Sequence, residues 1–180
     1  MVWNRAIQKK GAKGMKLLIV GAGSFAAEVD ELARLTGYEE IGFLDDNPAI
    51  ARCNPVVGCM DDIAKARKEY DTAIVALGNN EKRKQLHREL EKNGYKIPIL
   101  IHPTAYISPD AVLTPGCIVR TKAVVSRYAK LGDGVIVNVG ALIDHDCEIG
   151  EFSHILMGAV VRNSVKVASG TWVKANEVVE

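Results

Sequence analysis

The sequence has no excess of one charge, no long apolar run and few cysteines. Its formal net charge is +1 with both signs mixed, so nothing indicates a surface for nucleic acid or for a membrane. No apolar stretch is long enough to cross a bilayer, and the first residues lack the apolar centre of a secretory signal. Together with the cysteine usage described next, this leads us to expect a cytoplasmic protein.

The four cysteines, Cys53, Cys59, Cys117 and Cys147, show no metal-ligand spacing, so no metal is expected. Cys117 and Cys147 occupy the small-residue position of the repeat described below, on different faces. We interpret them as small core residues of a protein from a reducing compartment, not as a disulfide.

A strict period of six runs through the second half of the chain. Every sixth residue from Ile107 to Val179 is aliphatic, without interruption. Helices repeat at 3.6 residues and strands at 2, so neither explains this spacing. A hexapeptide repeat does explain it: three short strands form each coil of a parallel β-helix, and the aliphatic side chains fill a triangular prism. The sequence predicts about four coils over residues 102–180.

Residues 15–101 alternate between short apolar runs and amphipathic segments, which is typical of a Rossmann-like α/β domain with a parallel sheet. The predicted elements are strands at 17–20, 41–44 and 73–77, helices near 24–36, 61–66 and 81–92, and a closing strand at 97–101. Ser24 and Asp61 are expected to cap their helices. Residues 1–14 are basic and glycine-containing, and we expect a disordered extension there.

A glycine-rich turn follows the first strand. Residues 21–26, Gly-Ala-Gly-Ser-Phe-Ala, fit the G-x-G-x-x-G/A fingerprint, in which the backbone and a helix N-terminus receive a phosphate. The same glycines would also suit a tight strand-to-helix turn. A dinucleotide site needs two βαβαβ halves, and this domain supplies little more than one. A mononucleotide or nucleotide-sugar is therefore favoured over NAD.

Asp45 and Asp46 end the second predicted strand, at the edge where open α/β sheets bind their ligands. Contacts to a ligand hydroxyl or amine would suit these carboxylates. A solvated turn before Asn47-Pro48 is an equally good interpretation.

Two of the four histidines are assigned no chemistry. His87 lies on the charged helix at 81–92 and is expected to be solvated. His102 precedes Pro103 at the junction between the two domains, where we expect a structural role.

The other two histidines, His145 and His154, lie within one turn of the predicted β-helix, and both are expected on its outer wall. Imidazole titrates near neutral pH, as a general base must. A neighbouring carboxylate, Asp144 or Asp146, could fix the His145 tautomer. A surface histidine that happens to lie beside an aspartate is the alternative.

Four segments together resemble one family. They are Gly-Ala-Gly-Ser-Phe-Ala-Ala-Glu-Val at 21–29, Gly-Phe-Leu-Asp-Asp at 42–46, Leu-Ile-His-Pro-Thr-Ala at 100–105, and 138–154 with its His-Asp-Cys and Glu-Phe-Ser-His motifs. The family is that of the bacterial sialic-acid O-acetyltransferase-like proteins, which include the nucleotide-amino-sugar N-acetyltransferases of glycan biosynthesis. The resemblance covers residues 15–176. It implies a homotrimer of left-handed β-helices that uses acetyl-CoA as co-substrate, needs no metal, and holds a sugar nucleotide in the N-terminal domain.

The resemblance also implies roles for individual residues. His145 matches the general base and Asp146 the acidic residue that assists it. His154 matches the histidine that helps to place the acetyl thioester, and Asn138 lies at the acceptor end of the same cleft. The acetyl-CoA side comprises His154, Asn138, Gly158 and Asn163. The sugar-nucleotide side comprises Gly21, Gly23, Ser24, Phe25, Asp45, Asp46 and Asn79.

The last coil departs from the family pattern. Asn163-Ser164-Val165 stands where the family has Gly-Asn-Val, and the family's glycines near Ala168 and Lys174 are missing. The repeat also stops at Glu180, after four coils and a fragment, where the family continues. These departures leave an alternative: a truncated, non-catalytic trimer that binds a nucleotide-sugar but has lost acetyl-CoA binding. A NAD-dependent enzyme is poorly supported, because the α/β domain is too short.

Overall fold

The computed structural model describes residues 14–47, 49 and 56–180, and these divide between Pro98 and Ile99 into two compact units. Almost all of the predicted basic extension, together with Pro48 and Cys53, lies outside the described residues. Within the described part of the chain, none of the helices has the length and apolarity needed to span a membrane.

The first unit is built on a parallel four-stranded sheet with the strand order β3-β2-β1-β4. Its strands are β1 (Lys16–Val20), β2 (Glu40–Leu44), β3 (Val56–Gly58) and β4 (Ala73–Val75). Its helices are α1 (Ser24–Leu35), α2 (Ile63–Ala66) and α3 (Asn80–Lys92). Residues 17–20 of the inner strand β1 are fully buried, which explains their continuous apolar run. The predicted α/β fold is confirmed.

Two predicted helix caps are wrong. Helix α1 has Gly23 as its N-cap and begins at Ser24, so the serine stands one residue too late to cap. A 3-10 turn, Met60–Asp62, precedes α2, and the carboxylate that closes it belongs to Asp62, which accepts the Cys59 N–H at 3.0 Å. Asp61 is exposed. Both errors are shifts of one residue: α1 begins one residue after its glycine N-cap, and Asp61 stands next to the aspartate that makes the contact.

The prediction that His87 is solvated is also wrong. Its side chain is buried, with only 1% of the residue exposed. Helix α3 is mostly charged, which hides the spacing of its inner face: Asn80, Arg83, His87 and Leu90 follow one another at intervals of three or four residues. A helix can bury such a stripe although most of its side chains are charged.

The second unit is a left-handed parallel β-helix with three two-residue strands in each coil. Its first face holds β5 (Leu100–Ile101), β8 (Ile118–Val119), β11 (Ile136–Val137), β14 (His154–Ile155) and β17 (Trp172–Val173). Its second face holds β6 (Tyr106–Ile107), β9 (Val124–Val125), β12 (Leu142–Ile143), β15 (Val160–Val161) and β18 (Val178–Val179). Its third face holds β7 (Val112–Leu113), β10 (Lys130–Leu131), β13 (Glu148–Ile149) and β16 (Lys166–Val167).

Strand β5 corrects one detail of the sequence interpretation. Residues 97–101 were expected to close the α/β domain, but Leu100–Ile101 pairs in parallel with Ile118–Val119 and forms the first rung of the β-helix. Ile101 stands six residues before Ile107, so one more step of the period of six toward the N-terminus assigns this strand to the β-helix.

The aliphatic residue of each hexapeptide points inward, as predicted, and these side chains form the core of the prism. Cys117 and Cys147 are buried in the same core, before a strand of the first face and a strand of the third face. Their thiols donate to the carbonyl oxygens of Gly132 (3.3 Å) and Arg162 (3.0 Å). Burial raises the pKa of Cys117 to about 12. Both act as small apolar residues.

The corners of the prism follow a second period of six that was not predicted. From Gly116 to Asn176, every sixth residue has a left-handed backbone, with φ between +56° and +80°. Glycine is favoured at such φ values, yet only five of these eleven corners have it. The others are Lys122, Tyr128, Asp146, Phe152, Ser164 and Asn176.

Candidate active site

His145 and Asp146 lie at the corner between the second and third faces, which we name the His145 corner (144–147 and the stacked residues of neighbouring coils). Asp146 takes the left-handed position, with φ +60°, and its N–H donates to the carbonyl of Arg127 at 3.0 Å. Its Oδ2 lies 2.7 Å from Nδ1 of His145. Asp144 instead accepts the backbone N–H of His145, at 2.7 Å. Of the two candidate carboxylates, Asp146 is therefore the one that orients the ring.

This pair has the geometry of a general base. The carboxylate accepts a hydrogen bond from Nδ1, so the neutral ring of His145 presents Nε2 as its unprotonated atom. Among the described residues, none makes a hydrogen bond to Nε2. The side chains of His145 and Asp146 are 52% and 53% exposed, which leaves the ring accessible to a substrate.

His154 is buried, and the expectation that it is exposed was wrong. It lies on the first face in β14 and only 5% of it is exposed. The Trp172 ring, one coil further on, packs at 5.2 Å between centroids and 52° between planes. Nδ2 of Asn138 lies 3.3 Å from Nε2 of His154. The side chain does leave the core, as predicted, but neighbours from other coils cover it.

Asn138 is also buried, and its amide is engaged with the protein. Its Oδ1 accepts from Nη1 of Arg120 and from the backbone N–H of Val139, both at 2.8 Å. These contacts hold the amide in place beside His154.

The predicted residues of the β-helix fall into two groups that one chain does not bring together. The first group stands at the His145 corner: His145, Asp146 and, one coil further on, Asn163. The second group stands on the first face and at its corner with the second face, which we name the Gly158 corner (138–141, 156–159 and the stacked residues): Asn138, His154 and Gly158. Gly158 has φ +68°, and a Cβ there would approach Asn176 Oδ1 to 2.4 Å.

Three residues that sequence reasoning missed stand one coil from predicted ones: Arg120 from Asn138, Arg127 from His145 and Trp172 from His154. Arg127 binds the carboxylate of Asp110 through Nε at 2.9 Å. Residues that are 18 apart in the sequence pair in the sheets and stack at the corners. This spacing of 18 is the sequence feature that could have identified the three residues. Writing the sequence in rows of 18 would have placed the three residues beside the predicted site.

In the first unit, the two glycines of the β1–α1 turn have different surroundings. Gly21 has φ +108°, and a Cβ there would approach Leu77 Cδ2 to 2.9 Å and Ala76 O to 3.0 Å. Gly23 has φ −73°, and nothing lies within 4 Å of its Cβ position. Gly21 is thus needed by the fold, whereas Gly23 leaves open space above the start of α1. Ser24, which is exposed, and Phe25, which is half-buried, follow it.

Asp45 does not lie in a solvated turn. Its buried carboxylate accepts the N–H of Ala22 (2.7 Å) through Oδ2 and the N–H of Asn47 (2.9 Å) through Oδ1. It therefore ties the β1–α1 turn to the segment after β2. Asp46 is exposed, and its Oδ1 accepts the N–H of Met60 at 3.0 Å.

Asn79 caps helix α3, because its Oδ1 accepts the N–H of Lys82 at 2.9 Å. The buried Arg83 fixes the same loop by donating to the carbonyls of Leu77 (2.9 Å) and Gly78 (3.1 Å). Burial lowers the pKa of Arg83 to about 10. The segments after β1, β2 and β4 all leave one edge of the parallel sheet, the edge at which such sheets bind ligands.

Comparison with known proteins connects both units to acetyl transfer. The PglD N-terminal domain family matches residues 16–90. The acetyltransferase domain of PglB from Neisseria gonorrhoeae is 35% identical, with 93% of this chain and 92% of that one aligned and a TM-score of 0.84. The same domain in complex with acetyl coenzyme A gives 36% identity and a TM-score of 0.82.

A further similar structure is PerB from Caulobacter crescentus, in complex with CoA and GDP-perosamine. It is 30% identical over 94% of this chain and 90% of that one, with a TM-score of 0.81. These proteins define the class as two-part acetyltransferases. The chain belongs to the nucleotide-amino-sugar N-acetyltransferase family. The predicted left-handed β-helix and the predicted acetyl-CoA-dependent transfer to a sugar are confirmed at that level.

Proposed function

We propose that this protein transfers the acetyl group of acetyl-CoA to the amine of a nucleotide-linked amino sugar, with His145 as the general base. The observation that carries the proposal is the 2.7 Å contact between His145 Nδ1 and Asp146 Oδ2 on an accessible corner of the β-helix. The amine is favoured over a hydroxyl because the PerB relative was solved with GDP-perosamine, an amino sugar nucleotide.

His145 moves one proton in this reaction. Its Nε2 accepts the proton that the amine loses as the amine nitrogen bonds to the acetyl carbon. Asp146 stabilises the resulting imidazolium through Nδ1. When the C–S bond breaks, the same proton passes from Nε2 to the departing thiolate, so His145 returns to its starting state. His154 or a backbone N–H would donate to the oxyanion that forms between these steps.

The sugar nucleotide is assigned to the first unit. Gly23 leaves the start of the twelve-residue helix α1 uncovered, and the helix dipole there favours the negative charge of phosphate. Asp46 and Asn79 are exposed at the same edge of the sheet, where Oδ2 of Asp46 supplies an acceptor and the NH2 group of Asn79 a donor for ribose or base. Asp45 supports this site indirectly, by holding the Gly21–Gly23 turn through the N–H of Ala22.

A homotrimer is supported by the contrast between two faces of the β-helix. The outward side chains of the second face are all apolar or aromatic: Tyr106, Val124, Leu142, Val160 and Val178. On the third face, Glu148 binds Lys166 at 3.1 Å and Lys130 at 4.0 Å, a ladder of charges suited to water. We therefore assign the second face to subunit contacts.

Threefold symmetry would also complete the site. The second face has the His145 corner along one edge and the Gly158 corner along the other. Three copies with this face turned toward a common axis place the first edge of each copy beside the second edge of the next. His145 of one subunit would then act with His154 of its neighbour, which explains why one chain keeps them apart.

Leu142→Glu is expected to give a monomer, because it places a charge in the middle of the apolar second face. Acetyl transfer should fall by about 10² or more, since each site would lose half of its residues. Light scattering and an acetyl-transfer assay measure both effects. Val112→Glu on the third face is the matched control and should remain a trimer with full activity. A trimeric Leu142→Glu protein would refute the assignment of this face.

The activity itself is tested by following thiol release from acetyl-CoA with a panel of UDP- and GDP-linked amino sugars. We expect saturable release with at least one amine acceptor and none with the matching sugar that carries a hydroxyl in place of the amine. Release with only the hydroxyl sugar, or with no acceptor, would contradict the proposal.

A cytoplasmic site of action is supported by the buried thiols of Cys117 and Cys147.

A further inference from the structure

Three side chains on the β-helix form a chain of hydrogen bonds that ends at His154. Arg120 Nη1 donates to Asn138 Oδ1 at 2.8 Å, and Asn138 Nδ2 faces His154 Nε2 at 3.3 Å. The backbone N–H of Val139 also donates to Asn138 Oδ1, at 2.8 Å. Asn138 and His154 are both buried, so water does not compete freely for these bonds.

The two donors fix which way the Asn138 amide points. Its oxygen accepts from the Arg120 guanidinium and from the Val139 N–H; a reversed amide would turn its NH2 group toward both donors. The NH2 group therefore faces His154, and it can only donate. Nε2 of His154 must act as the acceptor, because a hydrogen on Nε2 would point at another donor. The hydrogen of the neutral ring is consequently on Nδ1.

We propose that Arg120 is a positioning residue: by fixing the Asn138 amide, it holds His154 in the tautomer that carries its hydrogen on Nδ1. This rests on the proposed function for its consequence: His154 carries on Nδ1, an atom that is buried in the single chain, the hydrogen that it donates to the acetyl carbonyl. The opposite tautomer presents a lone pair at Nδ1 and repels a developing oxyanion. Arg120 thus acts on His154 through the side chain of Asn138.

Asn138→Asp tests the first link. The substitution keeps the shape of the side chain and replaces the NH2 donor by an acceptor, so Nε2 of His154 should gain a hydrogen. Two-bond ¹⁵N–¹H correlations of histidine-labelled protein report which ring nitrogen is protonated, and His154→Gln identifies the signal. Acetyl transfer should fall about 10²-fold in kcat, as for loss of one oxyanion donor, with the KM for sugar nucleotide unchanged.

Arg120→Met tests the second link, because it removes the cation and keeps the length of the side chain. We expect a mixture of His154 tautomers and a fall in kcat of about tenfold, the size expected when one orienting hydrogen bond is lost. Arg120→Lys keeps a donor, so it should retain most of the wild-type His154 tautomer and most of the wild-type kcat. Lys130→Met removes an exposed cation from the third face of the same coil, away from the proposed site, and should change neither the His154 tautomer nor kcat.

The NMR experiment is made on the resting protein, so it is independent of whether acetyl transfer is observed. A wild-type His154 with its hydrogen on Nε2, or an unchanged pattern in Asn138→Asp, would overturn the inference. An unchanged tautomer in Arg120→Met would overturn the role of Arg120. If the tautomers shift as expected while no acceptor is acetylated, the proposed function fails and the positioning chain stands.

Discussion

Two inactive variants, His145→Ala and His154→Ala, are expected to recover activity when their subunits are mixed. His145→Ala removes the general base and should lower kcat by about 10³-fold. His154→Ala removes a donor to the oxyanion and should lower it by about 10²-fold. Because the proposed site takes one histidine from each of two neighbouring subunits, a mixed trimer contains some interfaces at which both are intact.

Each mixed trimer has one complete interface out of three, so the purified mixed trimers should show about a third of wild-type activity. Co-expression of the two variants with different tags, followed by purification of the mixed trimers, supplies the sample. Mixing His145→Ala with His145→Gln is the control and should restore nothing. Activity no higher than the mean of the two separate variants would show that both histidines of a site come from the same chain.

Gly21→Ala is expected to affect mainly stability and Gly23→Ala mainly nucleotide binding, although both change the same turn. Gly21→Ala should lower the free energy of unfolding by about 3 kcal/mol, because an L-residue is strained at φ +108° and its Cβ would meet Leu77 and Ala76. Gly23→Ala should cost less than about 1 kcal/mol, since its φ is ordinary and the space around it is open.

The KM for the sugar nucleotide should also distinguish the two variants. A methyl group at residue 23 stands above the N-terminus of α1, where we place the phosphates, so the KM for the sugar nucleotide should rise at least tenfold, or by about 1.4 kcal/mol. Urea denaturation and steady-state kinetics measure the two quantities. An unchanged KM in Gly23→Ala, with acetyl transfer intact, would show that this turn does not bind the nucleotide.

The β-helix was predictable because its core depends on one spacing. Each inward residue packs on the residue 18 positions later, so the period of six in aliphatic residues identified the strands and the core together. The left-handed corners were hidden because glycine occupies fewer than half of them. Phe152, for example, has a left-handed backbone although it is not a glycine. One coil earlier the same corner has Gly134, where a Cβ would lie 2.5 Å from the Phe152 ring.

The site was predictable only where its contacts are local. The His145–Asp146 pair joins adjacent residues, and the resemblance identified it. His154 was misjudged because the residues that cover it, Asn138 and Trp172, come from other coils. Asp45 was misjudged for the same reason, since its bond to the Ala22 N–H spans 23 residues. Burial of a polar side chain depends on such distant neighbours.

The two periods of the β-helix restrict how its length can change. An extra residue inserted after Asp146 would move every later aliphatic side chain out of the core and every later left-handed position off its corner. Six extra residues would restore the core but shift each later strand to the next face, so His154 would leave the first face. Only an insertion of eighteen residues, or of a multiple of eighteen, keeps the aliphatic side chains in the core and every later strand on its original face. For this molecule, growth by duplication is therefore possible only in whole coils, and insertions of that size beyond the site would leave its chemistry unchanged.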